Sequence, residues 1–195
     1  MAKIKLTKNE LKTQRDAMAR FKRYLPTLQL KKQQLQMEMR RLDQEILVKR
    51  DEEQEARAKL SSWIQLYSEP VDLSAYVRVD KLITSSGNIA GVTIPVLDDL
   101  TFKEETPDLF QTEPWIDEGI RVLKQLTRLR VERQILEEQH RLLADELRTT
   151  TQRVNLFEKV KIPEAKENIR VIRIFMGDQQ TAAVVRSKIA KGKSA

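Results

Sequence analysis

Three features of this sequence could in principle do chemistry: a Gly-Lys-Ser triplet, a single histidine and several clustered carboxylates. The triplet, Gly192-Lys193-Ser194, matches the close of a phosphate-cradling loop. Such a loop needs another glycine five residues earlier and a strand leading into it. Position 187 is Ser187 and no strand-like run precedes it, so the triplet reads as a basic tail. His140 has no Asp, Cys or second His at ligand spacing in the sequence, and reads as a packed or partly solvated helix residue. Asp51-Glu52-Glu53 and Glu137-Glu138 are interleaved with Lys and Arg on helical patterns. Nothing there encloses one carboxyl and raises its pKa for acid–base work. The chain has no cysteine, which excludes disulfides, thiolate metal sites and cysteine nucleophiles. The expectation is a non-catalytic chain with no catalytic, metal or cofactor-binding residues.

The elements that carry these residues set a different kind of expectation. Stepping from Leu11 alternately by three and four residues gives Leu11, Gln14, Met18, Phe21, Leu25, Leu28, Lys32, Leu35, Met39, Leu42, Ile46, Lys49, Glu53, Ala56, Leu60, Trp63 and Tyr67. Thirteen of these 17 are apolar, the pattern of a coiled-coil helix. At 1.5 Å per residue such a helix is roughly 85 Å long. Pro26 falls within it and should bend it locally. A second seam runs Val122, Leu126, Leu129, Arg133, Leu136, His140, Leu143, Leu147, Thr150, Val154, Phe157 and Lys161. Beyond Pro163 a related stripe continues through Ala165, Ile169, Ile172, Met176, Gln179 and Ala183.

Between the seams, Ser68 to Trp115 contains four of the six prolines and two β-rich runs, on either side of a Ser-Ser-Gly-Asn turn signal at 85–88. A short β-hairpin is expected there. An isolated hairpin is marginal in water, so it should lean on the helices or on a partner. The expected fold is therefore all-α: a long antiparallel two-helix coiled coil with a loop-rich, hairpin-bearing connector. Its divisions are residues 1–67 (first helix), 68–115 (connector) and 116–195 (second helix, bent near Pro163), in one elongated domain. The expected seam residues include Leu28, Leu35, Leu42, Ile46, Leu136, Leu143, Leu147, Val154 and Phe157.

Charge is unevenly spread. Residues 1–67 hold 16 Lys/Arg against 9 Asp/Glu, residues 68–115 hold 3 against 9, and residues 116–195 hold 17 against 11. The basic segments lack the aromatic or glycine-rich elements that accompany nucleic-acid recognition. No apolar run approaches membrane-spanning length, and no amphipathic face suits a membrane surface. The opening MAKIKLTKNELK lacks the apolar core of a signal peptide, so the expectation is a cytosolic chain. Physics leaves two roles open: a mechanical shaft, or a scaffold that tethers partner helices.

Particular residues narrow that choice. The segment Thr149-Thr150-Thr151-Gln152-Arg153-Val154-Asn155-Leu156-Phe157-Glu158-Lys159-Val160-Lys161-Ile162-Pro163 closely resembles a motif of the D subunit of V-type and archaeal-type rotary ATPases. That family typically reads T-T-x-R-V-N-A-L-E, then two or three residues, then I-P. Thr150, Thr151, Arg153, Val154, Asn155, Glu158, Ile162 and Pro163 match it, whereas Leu156-Phe157 replaces Ala-Leu. Asn88-Ile89-Ala90-Gly91-Val92-Thr93-Ile94-Pro95 is similar to the family's N-[IV]-A-G-V-x-[IL]-P segment. Leu28 to Leu35 is similar to an L-L-K-x-K-R-x-x-L stretch of its first helix, without the usual Arg-Asp, and Pro26 is a further departure.

The resemblance implies a central rotor shaft of an ATPase or ATP synthase that binds no nucleotide itself. Its partners would be a hexamer of catalytic and non-catalytic subunits, a small F subunit, and a funnel-like subunit on the membrane ring. The location would be cytoplasmic and peripheral to the membrane, with no direct insertion. Within that frame Asn88, Ile89, Ala90, Gly91, Val92 and Ile94 are expected partner or regulatory contacts. Lys3, Lys5, Lys8, Lys12, Arg186, Lys188, Lys191 and Lys193 are expected to make sliding, screened contacts with the hexamer.

Overall fold

The computed structural model describes residues 4–59, 76–104 and 115–193. Its elements are α1 (Lys8–Lys59), β1 (Val77–Ile89), β2 (Val92–Glu104), α2 (Ile116–Asn155), a π-helical turn (Leu156–Lys161) and α3 (Ile162–Lys193). The chain divides into two compact units, Met1–Gln33 with Arg148–Ala195, and Gln34–Leu147.

α1 begins at a side-chain cap. Thr7 Oγ1 accepts the Glu10 amide at 3.3 Å, and Thr7 O accepts the Leu11 amide at 3.0 Å. Thr7-Lys8-Asn9-Glu10 has the residue pattern of a capping box, with an acidic residue in the first turn where the helix dipole favours it. Pro26 lies inside α1 without ending it. Every seam position from Leu11 to Ala56 is at least half-buried, while Leu60, Trp63 and Tyr67 lie outside the described residues.

In the unit Met1–Gln33 with Arg148–Ala195, α1 packs antiparallel to the carboxy-terminal helices. Phe21 meets Phe157 with ring centroids 5.1 Å apart, and Asn168 Nδ2 donates to Gln14 Oε1 at 3.3 Å. Leu11, Ile169 and Ile172 form its apolar cluster, flanked by Ile4, Met18 and Met176. The stripe ends at Met176. Gln179 and Ala183, expected to continue it, are exposed, because residues 177–193 bury nothing among the described residues.

The unit Gln34–Leu147 is built round the hairpin. Leu35, Leu42, Ile94 and Leu143 form one core, so α1, β2 and α2 each contribute to it. Val77, Trp115, Ile116 and Ile120 form a second at the hairpin base, with Phe102 and Leu123 beside them. The hairpin leans on the helices, as a marginal two-stranded ribbon must.

The turn is not where the Ser-Ser-Gly-Asn signal put it. β1 and β2 pair antiparallel from Val77 opposite Glu104 to Ile89 opposite Val92, leaving Ala90-Gly91 as a two-residue loop. Both loop residues have positive φ, 51° and 80°, the requirement of the turn that matches strand twist. Asn88 Oδ1 accepts the Gly91 amide at 3.0 Å and closes it. Gly87 instead sits inside β1 opposite Ile94, where an added Cβ would come within 2.8 Å of Val96 Cγ2. Its glycine makes room for packing rather than for a turn.

Candidate functional site

The described residues contain no group of His, Asp and Glu arranged to hold a metal ion. His140, half-buried on the seam, pairs through Nε2 with Asp43 Oδ1 of α1 at 3.1 Å. It tethers two helices. Gly192 and Lys193 are the last described residues of an exposed helix, and Ser194 lies outside them. No helix among the described residues is long and apolar enough to cross a membrane.

The charged seam positions come together. Arg133 Nε donates to Glu53 Oε2 at 3.1 Å and Nη1 to Glu137 Oε1 at 2.6 Å. Arg57 Nη2 donates to Glu53 Oε1 at 2.6 Å. The Glu53 side chain is only 7% exposed, so its charge is held by two cations and not by water. Glu137, then Glu53, hold the Arg133 guanidinium above its ordinary pKa. One turn away, Lys49 bridges Glu52 and Glu132 at 2.9 and 3.0 Å. Hydrogen bonds to Glu52 first and Glu132 second raise the Lys49 pKa against partial desolvation. Gln139, buried on α2, donates through Nε2 to the Pro95 carbonyl at 2.5 Å and ties the hairpin down.

The sequence could have revealed the Glu53–Arg133 network. Both residues interrupt mostly apolar seams and carry opposite charges. Gln139 carried no such signal, because its partner is a backbone carbonyl.

The expected contact residues divide by burial. Of the hairpin set, Ile94 is 3% exposed and Ile89, Ala90 and Val92 pack beside it, while Asn88 and Gly91 face solvent. Of the seam set, Leu35, Leu42, Leu143 and Val154 are buried, and Leu28, Ile46, Leu136, Leu147 and Phe157 are half-buried. In the Thr149–Pro163 motif, Thr150 and Val154 are buried, Thr151 and Ile162 half-buried, and Arg153, Asn155, Glu158 and Pro163 exposed. The motif thus presents one face inward and one outward. Lys5, Lys8, Lys12, Arg186, Lys188, Lys191 and Lys193 are exposed; Lys3 lies outside the described residues.

Comparison with known proteins places this arrangement. The family pattern for the D subunit of ATP synthase matches residues 10–192. The V-type ATP synthase D subunit of Borreliella burgdorferi is 51% identical over 191 residues, covering 98% of this chain and 95% of the relative. The chain belongs to the ATP synthase D-subunit family. More distant members have the same span. The V-type ATP synthase D subunits of Chlamydia abortus and Chlamydia felis are 32% and 33% identical over 195 residues, each covering 98% of this chain and 94% of the relative. The matched residues take in the hairpin and α2 and nearly all of α1 and α3.

Proposed function

We propose that this chain is the central rotor shaft of a V-type ATP synthase, a non-catalytic component that couples nucleotide turnover in a hexamer to rotation of a membrane ring. The observation that carries this reading is the family match over residues 10–192, at 51% identity to a V-type ATP synthase D subunit. The physical features support it. A shaft must resist twisting, and two antiparallel helices cross-linked by Glu53–Arg133, Lys49–Glu132 and His140–Asp43 resist more than a single helix.

On this reading the exposed terminal cations meet the hexamer, whose subunits are catalytic and non-catalytic. A small F subunit and a funnel-like subunit complete the contacts, at the cytoplasmic face of the membrane. The role of the hairpin lies with Asn88, Gly91 and the exposed face of β1, since Ile94 is engaged in the core.

Co-expression with the hexamer subunits tests the proposal. One copy of this chain should purify per hexamer. Omitting it should leave ATP hydrolysis uncoupled from ion transport in membrane vesicles. Transport that persists at full rate without the chain would overturn the shaft reading in favour of a tether.

A further inference from the structure

The apolar stripe of the carboxy-terminal helices changes phase once. Upstream, Leu143, Leu147, Thr150, Val154 and Phe157 follow steps of four, three, four and three. Downstream, Ala165, Ile169, Ile172 and Met176 follow four, three and four. Continuing the upstream rhythm from Phe157 leads to Lys161, Glu164, Asn168 and Val171. Glu164 and Val171 are exposed, whereas Ala165, Ile169 and Ile172 are 3%, 6% and 0% exposed. The stripe therefore arrives one residue late.

The delay coincides with the π-helical turn Leu156–Lys161, which has no buried residue. Its closing amide, Ile162 N–H, donates to Phe157 O, five residues back where an α-helix would reach four. The next residue, Pro163, has no amide to donate, and in a regular helix its ring would crowd the carbonyl four residues earlier. A wider turn immediately before it houses one more residue.

We propose that the π turn is a one-residue register adjuster. Between Phe157 and Ala165 the chain carries one residue more than two seam-spaced turns need. The turn stores that surplus on the exposed side, so that Phe157 and Ile169 both keep their packing against α1. Without it, Glu164 would rotate toward the position now held by Ala165. This concerns the fold of the chain and stands apart from its proposed role in rotation.

Single-residue deletions in the full chain test it, aided by the absence of native cysteine. Deleting exposed Lys159 in a Pro163→Ala background, which removes the ring that a regular turn would crowd, should let the turn become α-helical with Ala165, Ile169 and Ile172 still buried. A disulfide between Gln14→Cys and Asn168→Cys should then form as completely as in the undeleted chain. The thermal midpoint should be retained or raised. Deleting exposed Arg130, where the seam holds no surplus, should lower the midpoint by many degrees. If the Lys159 deletion is as damaging as the Arg130 deletion, the proposal is wrong. It is equally wrong if crosslinking to Gln14→Cys moves from Asn168→Cys to Ile169→Cys, since the downstream helix would then have rotated.

Discussion

Thr150 is 1% exposed, and its hydroxyl has no hydrogen-bond partner among the described residues. A buried, unmade hydrogen bond costs on the order of 1–3 kcal/mol, so Thr150→Val, which keeps the shape, should raise stability by about 1 kcal/mol. Chemical denaturation reads this directly, and a loss of stability would mean the hydroxyl is satisfied in solution. Ala90 is a second single-residue liability. It holds φ of 51°, a left-handed conformation that costs a residue with a Cβ roughly 1–2 kcal/mol. Ala90→Gly relieves that cost but loosens the unfolded chain and deletes a methyl near the Leu35–Ile94 core. The expected net result is a gain of at most about 1 kcal/mol. A lowered melting point would show that the methyl contact outweighs the backbone cost.

Among the elements, the charged seam makes the sharpest prediction. Glu53→Gln keeps the shape but removes the charge between Arg57 and Arg133. Arg133 retains Glu137, so the expected loss is about 2 kcal/mol, below the range for stranding a fully buried ion. Replacing Glu53 and Arg133 together by methionine should recover most of that loss. Additive single and double effects in urea unfolding would show that the two side chains do not interact. The seam itself was legible in the sequence, because a spacing of three and four needs only the heptad rhythm to be seen. The pairing of Glu53 with Arg133 was legible only in part, since each residue breaks its own stripe and the opposing register is a tertiary fact. The hairpin was legible as two strands with a misplaced turn. Gly87 in Ser-Ser-Gly-Asn looks like a turn residue until the packing of Val96 against it is known. The π turn leaves a trace in the spacing of Phe157, Ala165 and Ile169, but a bend at Pro163 explains the same letters.

At the scale of the whole molecule, function depends on surfaces this chain does not cover by itself. Neutralising the exposed cations Lys5, Lys8, Lys12, Arg186, Lys188, Lys191 and Lys193 to glutamine, with Lys3, should leave the melting point unchanged. In the assembled complex it should change turnover or coupling, and more strongly at low salt, where screening is weak. Unaltered turnover and transport would remove these cations from the interface. The composition showed that the termini are basic, but not what they touch. The carboxy-terminal end of α3 has a further consequence. Residues 177–193 are helical although every one is exposed, and Gly177, Thr181, Val184 and Val185 are weak helix formers. A helical stretch of that length is marginal in water without packing. Its amides should therefore exchange quickly with deuterium in the free chain, and trypsin should cut early at Arg186 and Lys188. Once a partner covers Val184, Val185 and Ile189, both should slow, which makes this segment a built-in gauge of assembly readable without attaching a probe.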